Sequence, residues 1–301
     1  MKHKMIRLTL ALLAGAAAPS WAGSPINGNA AMNPDGRLEV HNVRGRVEIR
    51  AWDKNQVDVH GTLGEGSSFE LSGSGAEVVV RVKNRDENRS WWWGSSGPRE
   101  DTVLEIKVPK AATPEVHVVS AEVDIAGLDG SRSVNVDSVS GDLRIDARAE
   151  RYELKTVSGD MRCTGSAKRA RFESVSGDIK AEGLDGEIGL ETVSGDGHLD
   201  ARTISELKMN SVSGDMYVTG ALGARGRIKA ETMSGDVHVD LNGEVSASID
   251  AETFSGDIRS DFGSVDREEH GPGERLRFKS GGGEGEIELK SFSGDLSVRK
   301  H

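Results

Sequence analysis

Apolar and polar residues alternate along most of this chain, and the phase of the alternation changes at regular intervals. Residues 134–136 and 143–145, for example, each place two apolar side chains two positions apart, which is typical of strands with one buried face. Between these two stretches lies the tripeptide Ser-Gly-Asp. Because glycine tolerates a positive φ and the Ser and Asp oxygens accept hydrogen bonds from turn N–H groups, the tripeptide predicts a corner between two strands.

The same tripeptide occurs eight times, each time behind a Ser or Thr and one bulky apolar residue. Successive copies are 18, 18, 18, 19, 21, 21 and 38 residues apart. A period of about 20 residues is typical of stacked units that are each too small to bury their own apolar face. The aspartates of the eight copies are Asp142, Asp160, Asp178, Asp196, Asp215, Asp236, Asp257 and Asp295.

This repeat predicts an all-β fold, a parallel β-solenoid with two strands in each rung of 18–21 residues. Right-handed coiling is expected because parallel crossovers prefer that hand. Neighbouring rungs lie about 4.8 Å apart, so the eight rungs would form a rod roughly 40 Å long. Like positions of successive repeats would then form continuous rows along the rod.

Positions within a repeat are counted from its Asp as zero. Positions −8, −6, +1 and +3 are apolar in nearly every copy and are predicted to fill the rod, while the mostly charged position −5 and the largely basic position +2 face outward. Val175 and Leu190 are both expected in the core, so that an aspartate at either would destabilise a middle rung. The single cysteine, Cys163, occupies position +3 and is expected to be a buried, unreactive side chain.

Degenerate copies of the pattern extend upstream of the first Ser-Gly-Asp and divide the exported chain into two predicted parts. Residues 23–115 form an N-terminal β region that caps the rod, and residues 116–301 form the solenoid. The N-terminal region contains an aperiodic loop at 84–101, and the solenoid contains an irregular insertion at 261–285. We interpret the insertion as a loop and an irregular last coil, with residues 276–280 as half a rung.

The first 22 residues have the pattern of a secretory signal peptide. Lys2, Lys4 and Arg7 precede an apolar run over residues 8–18, which is too short to span a bilayer because a span needs about 20 residues. We expect a periplasmic or secreted protein after cleavage near Ala22. Loss of the three basic residues changes the formal net charge from −11 to −14, which argues against nucleic acid and anionic lipid as partners.

The row of repeat aspartates is the most conspicuous candidate site. Stacked carboxylates about 4.8 Å apart would repel each other by about 0.9 kcal/mol in bulk water, so something must offset the repulsion. A row of Ca²⁺ ions is one answer, but Val-Ser-Gly before the Asp lacks the Gly-Gly-x-Gly-x-Asp pattern of calcium-binding β-helices. We favour structural, turn-forming aspartates neutralised by the basic position +2 beside the acidic position +4. No cofactor or metal is predicted.

Trp91, Trp92 and Trp93 are the second candidate site, in the middle of the aperiodic loop. Three exposed indoles could bind a sugar or seat at a membrane interface. They could equally plug the open apolar end of the solenoid, which needs a cap. Both interpretations stay open on the sequence alone.

Catalytic motifs are lacking in the sequence. Some polysaccharide-cleaving enzymes are β-solenoids with carboxylates in a lateral cleft, but a catalytic pair is unique and desolvated, whereas these carboxylates repeat in every rung. The histidines show no HExxH spacing, and no Gly-x-Ser-x-Gly nucleophile turn occurs. We therefore predict a protein that is not an enzyme, with a carbohydrate-active enzyme on a β-helix scaffold as the rival from another class.

Tandem Ser-Val-Ser-Gly-Asp and Thr-Val-Ser-Gly-Asp rungs behind a signal peptide resemble a bacterial envelope family known as "putative adhesin", a domain otherwise of unknown function. The segment Gly-Arg-Val-Glu-Ile-Arg-Ala-Trp-Asp at residues 45–53 also looks like that family's opening strand. The resemblance covers about Leu38 to Val298. It implies a β-solenoid with no established catalytic residues, and some similar proteins are linked to envelope-stress sensing.

The sequence and the resemblance together predict an exported, non-enzymatic interaction, adhesin-like or spacer surface in the cell envelope. The expected partner is an envelope protein or a surface glycan, and an integral membrane protein is not expected. The alternative within binding functions is an envelope-stress sensor or regulator that binds a protein partner.

Overall fold

The computed structural model describes residues 23–84, 101–267 and 273–301, and these residues form β-strands, turns and loops without a helix. All of the strands belong to one continuous sheet. The eighteen strands of the described residues are β1 (Ser24–Trp52), β2 (Gln56–Leu63), β3 (Ser67–Asn84), β4 (Thr102–Pro109), β5 (Thr113–Ser140), β6 (Leu143–Ser158), β7 (Met161–Ser166), β8 (Arg169–Ser176), β9 (Ile179–Ser194), β10 (Gly197–Ser213), β11 (Met216–Ser234), β12 (Val237–Leu241), β13 (Ala247–Ser255), β14 (Ile258–Ser260), β15 (Val265–Arg267), β16 (Glu274–Ser280), β17 (Gly285–Ser293) and β18 (Leu296–Lys300).

The central strands pair in parallel, and each pairing advances the chain by one repeat. Leu154 pairs with Phe172, and Phe172 pairs with Leu190, so position −6 of each rung lies beside position −6 of the next. Strands end at Ser-Gly-Asp, where the chain turns, whereas several of them continue through the looser second bend. The parallel β-solenoid predicted from the repeat is therefore confirmed, while its right-handed coiling stays a prediction.

The apolar rows at positions −8, −6, +1 and +3 fill the rod. Leu154, Phe172 and Leu190 have no exposed surface, and Cys163 is also fully buried. The prediction that Val175 lies in the core is wrong, because 47% of its surface is exposed. The inward and outward alternation of the strand continues past position −6 to a buried Ser or Thr at position −4, such as Ser174. The side chain at position −3, here Val175, therefore faces solvent.

Each corner depends on its glycine in two ways. Gly177 has a φ of +133°, a region that L side chains rarely adopt. A Cβ at the same residue would lie 2.3 Å from the carbonyl oxygen of Gly159 in the neighbouring rung. Glycine therefore allows both the turn and the close stacking of one corner on the next.

The C-terminal rungs do not stack in chain order. The last two strands, β17 and β18, lie between β11–β12 on one side and β13–β14 on the other. The final Ser-Gly-Asp rung is therefore not the outermost one but lies one step in from the end of the rod. Residues 276–280 are not half a rung either, because they belong to β16, which pairs antiparallel with β13 and covers its outer edge.

The N-terminal strands show the same exchange of order. β1 pairs in parallel with β3 and β4 along one edge and with β5 along the other, although β5 follows β4 in the chain. β2 then pairs antiparallel with β1 and β4. β18 and residues 37–50 of β1 thus have neighbours on two edges, whereas residues 24–31 of β1 pair with β2 alone.

Candidate functional site

Two of the predicted functional segments cannot be placed. Trp91, Trp92 and Trp93 lie outside the described residues, and so does the signal peptide at residues 1–22. The choice between a tryptophan plug and a tryptophan binding site therefore stays open. The remaining candidates lie on the rod.

The repeat aspartates form one row along the corners of the rod. In every rung before the last of the row, one carboxylate oxygen accepts a hydrogen bond from the backbone N–H of the next aspartate, as from Asp178 to Oδ1 of Asp160 at 3.0 Å. The row continues through the final Ser-Gly-Asp rung, because the N–H of Asp295 bonds to Asp236 at 2.8 Å and that of Asp257 bonds to Asp295 at 2.9 Å. A backbone donor thus compensates part of the repulsion between neighbouring carboxylates.

The basic row at position +2 borders the aspartates, and the two rows line a groove of about 580 Å³. Lys180 pairs with the +4 residue Glu182 at 2.7 Å. Arg144 and Arg162 line the same groove without a carboxylate within 4.0 Å among the described residues. The structure therefore brings the three predicted stripes together, but direct ion pairs join them only in some rungs.

Aromatic rings replace the basic side chains farther along the +2 row. Tyr217 stacks between His198 and His238, with ring centroids 4.5 and 5.0 Å apart. Its hydroxyl donates to a carboxylate oxygen of Asp215 at 3.2 Å. Partial burial and then the neighbouring carboxylates, Asp215 first, raise the pKa of Tyr217 above its ordinary value. The stacked rings turn their faces to each other and their edges outward, so the stack is not an open platform for a sugar ring.

Two observations bear on the predicted chemistry of the row and of the cysteine. Among residues 23–84, 101–267 and 273–301, no three His, Cys, Asp or Glu side chains are arranged to hold a metal ion. Burial, and to a lesser extent the charge of Asp146, raises the pKa of the Cys163 thiol to about 12. Cys163 is thus a core side chain that stays protonated at neutral pH.

Replacing Asp178 with asparagine is expected to change the free energy of unfolding by less than about 1 kcal/mol. The asparagine keeps a side-chain oxygen that can accept the N–H of Asp196, and position 178 is exposed. Urea unfolding with and without added Ca²⁺ measures this. Gly177→Ala in the same corner is the control and should lower the free energy of unfolding much more. A large loss for Asp178→Asn in Ca²⁺-free buffer, or a stabilisation of the natural chain by Ca²⁺, would support the calcium row instead.

The structure also shows a site that the sequence pattern did not reveal. The residues at position −3 form an exposed line of apolar side chains, which we call the apolar ridge. About half of each valine in it is exposed, as is 59% of Phe292. Its nine rungs are separated by eight steps of about 4.8 Å, so the ridge is about 38 Å long. In spatial order its residues are Val119, Val139, Val157, Val175, Val193, Val212, Met233, Phe292 and Phe254.

Two neighbouring rows border the apolar ridge. On one side lies the serine of each Ser-Gly-Asp. On the other side lies position −5, which we call the charged row, and a shallow groove of about 510 Å³ separates it from the ridge in the middle of the rod. Phe292 and Phe254 stack at one end of the ridge with centroids 5.0 Å apart. The charged row reads His117, Asp137, Lys155, Glu173, Glu191, Asn210, Glu231, Lys290 and Glu252 in spatial order.

One signal in the sequence could have identified the ridge. Position −4 is Ser or Thr in every repeat, and a polar side chain ending an apolar strand can take the last inward place. Position −3 then has outward parity, although it is apolar in all eight copies. An apolar residue kept at an outward position is a sign of an interaction surface.

Comparison with known proteins gave one family and several solved structures. The model of the family described as Toastrack DUF4097 matches residues 36–299. A crystal structure named "putative adhesin" from Bacteroides fragilis is 12% identical, with 92% of this chain and 97% of that chain covered and a TM-score of 0.43. Another of the same name from Parabacteroides distasonis is 9% identical, with 92% and 98% covered and a TM-score of 0.37. No curated protein matches the chain.

Proposed function

This chain belongs to the Toastrack family, and on that premise we propose that it is an exported, non-enzymatic β-solenoid that serves as an adhesin-like interaction surface in the bacterial cell envelope. The surface that makes the contact is the apolar ridge. Its partners are components of the envelope, either proteins or surface glycans.

The observation that carries this proposal is the unbroken exposure of nine apolar side chains along one edge of the rod. Single exposed apolar residues are common, but a continuous line of them is typical of an interaction site. The stack could place a polar residue at this corner at no cost to the core, since the core positions lie elsewhere. Within the described residues, the core is therefore complete without the ridge.

The repetition of the polar groups favours binding over catalysis. The groove between the aspartates and the basic row has nearly the same composition in successive rungs, as in Asp142 with Arg144 and Asp160 with Arg162. Catalysis needs one pair of carboxylates whose surroundings differ from those of all others. A repeated surface, by contrast, suits the recognition of an extended partner.

Export is supported by the apolar run at residues 8–18 behind three basic residues. Within the described ranges, no helix is long and apolar enough to cross a membrane. N-terminal sequencing of the protein from the periplasm and the medium tests this part, and a mature chain that begins at Gly23 is the expected result.

Making the ridge polar is expected to weaken attachment to isolated cell envelopes by at least about tenfold, equivalent to ~1.4 kcal/mol. The variant carries Val157→Thr, Val175→Thr and Val193→Thr, which keep the β-branched shape of valine. Binding of the labelled, purified protein to sedimented envelopes measures the effect.

The matched control replaces the groove cations, with Arg144→Gln, Arg162→Gln and Lys180→Gln, and should bind like the natural protein. Circular dichroism verifies that both variants are folded. If the ridge variant binds as tightly as the natural chain, the ridge is not the interaction surface. If the control loses binding instead, the groove takes its place.

A further inference from the structure

We propose that the apolar ridge also holds two copies of this chain together, side by side and antiparallel. The dimer has a two-fold axis perpendicular to the rods, so that ridge meets ridge and charged row meets charged row in reverse order. This inference rests on the proposed function in using the same surface, and it names a partner for it. Three properties of the ridge support a second copy as the occupant.

The first property is the spacing of the ridge. Its side chains recur about every 4.8 Å, the distance between rungs. An extended peptide presents side chains to one face only about every 6.6–6.8 Å. Its side chains would therefore fall out of register with those of the ridge within a few residues. The side chains of another β-solenoid have the same spacing, so they stay in register with the ridge over its whole length. The spacing thus favours a second copy over an extended peptide.

The second property is the distribution of side-chain size. The ridge has valines over its first six places and then Met233, Phe292 and Phe254. In an antiparallel pair Phe254 faces Val119, Phe292 faces Val139 and Met233 faces Val157. Each large side chain meets a small one, and the gap between the rods stays even. A parallel pair would place Phe against Phe at one end and leave the valines apart.

The third property is the order of charges beside the ridge. Antiparallel packing places Asp137 opposite Lys290 of the other copy and Lys155 opposite Glu231. At the ends His117 faces Glu252, and nearer the centre Glu173 faces the neutral Asn210. Only Glu191, at the two-fold axis, meets its own equivalent.

These facing groups are accessible to a partner. The side chains of Lys155 and Glu231 are both 40% exposed, although each also has a pairing group in its own chain. Those of Asp137 and Lys290 are 55% and 49% exposed. A parallel dimer would turn the charged row toward the partner's serine row, so none of these pairs would form.

The size of the ridge is adequate for a reversible dimer. A strip about 38 Å long and roughly 15–20 Å wide covers about 600–750 Å² per copy, just below the roughly 800 Å² of a standard interface. The serine row beside the ridge is neutral and small, so it does not hinder a close approach. The expected complex is a dimer that forms at micromolar concentration.

Exchange of one pair of charges tests the arrangement. Lys155→Glu and Glu231→Lys should each raise the dimer dissociation constant at least about tenfold, while the double variant should return to within about threefold of the natural chain. Lys155 and Glu231 are four rungs apart in one chain, about 19 Å, so rescue can only come from a contact between copies. Sedimentation equilibrium of the full mature chain measures each constant.

Two further variants sharpen the test. Glu191→Gln removes the one repulsive pair and should tighten the dimer. Lys180→Glu, on the groove side of the rod, is the control and should leave it unchanged. A natural chain that stays monomeric at about 100 μM, or a double variant without rescue, would overturn the antiparallel dimer.

The outcome is distinguishable from a failure of the proposed function. If the natural chain is monomeric but the threonine ridge variant loses envelope binding, the dimer is wrong and the interaction surface stands. If the charge exchange behaves as expected but the threonine variant binds envelopes normally, the ridge serves self-association alone.

Discussion

An aspartate at position 190 is expected to unfold the middle of the rod, whereas an aspartate at position 175 is expected to leave it folded. Leu190 has no exposed surface and pairs in the stack with Phe172 and Met209, which are also fully buried. An unpaired carboxylate there loses its hydration without gaining a partner, which costs several kcal/mol. That is a large share of the 5–15 kcal/mol that typically separates folded from unfolded domains.

Val175 provides the internal control, since the same substitution fifteen residues away meets water instead of the core. Because 47% of the surface of Val175 is exposed, an aspartate in its place keeps most of its hydration. The free energy of unfolding is therefore expected to change by no more than about 1 kcal/mol. Urea unfolding followed by circular dichroism measures both variants, and Leu190→Ala should fall between them at about 2–5 kcal/mol. Equal losses at residues 175 and 190 would contradict the inward and outward assignment of this corner.

A chain truncated after Glu284 is expected to lose the ordered structure of its C-terminal rungs. The missing strands β17 and β18 carry four side chains without exposed surface, Ile287, Leu289, Leu296 and Val298. Burial of each contributes about 1.5–3 kcal/mol, so their loss removes roughly 6–12 kcal/mol. The truncation also leaves facing edges of β11 and β13 about 9.6 Å apart without a strand between them.

Hydrogen exchange followed by mass spectrometry measures this effect. Amides of β13 should exchange rapidly in the truncated chain, while amides of β6 to β9, far from the gap, should remain protected. Removal of His301 alone is the control and should change little. A peptide of residues 285–301 should restore protection, and protection of β13 in the truncated chain without the peptide would show that the two edges can close on each other.

The repeat made the rod and its core rows predictable, because a fixed period of alternation determines which side chains point inward along each strand. The repeat does not determine which side chains of the corner face inward. The alternation of apolar and polar residues can change its phase anywhere between positions −6 and +1 and still give the same pattern. An inward place for Val175 therefore fits the repeat as well as the outward place that it has in the structure. An apolar residue that recurs in every rung, as Val175 and its equivalents do, has the same pattern as a core position.

The order of the rungs could not be predicted in this way. Every rung presents similar edges, so position −6 of one rung can pair with that of any other, as Ala230 pairs with Leu289 although 59 residues separate them. What determines the order is the path of short connections such as residues 242–246 and 281–284. Their glycines and polar residues carry no signal for the number of rungs they cross.

The placement of the last strand affects how the protein withstands proteases that begin at the C-terminus. Such enzymes thread the polypeptide from one terminus and strip it away progressively. Here a pull on the C-terminus must break pairing on two edges before β18 is released, because residues 296–298 pair with both β12 and β14. In a solenoid whose termini form the outermost coils, one edge would suffice. Slow degradation from the C-terminus is thus a consequence of the exchanged strand order.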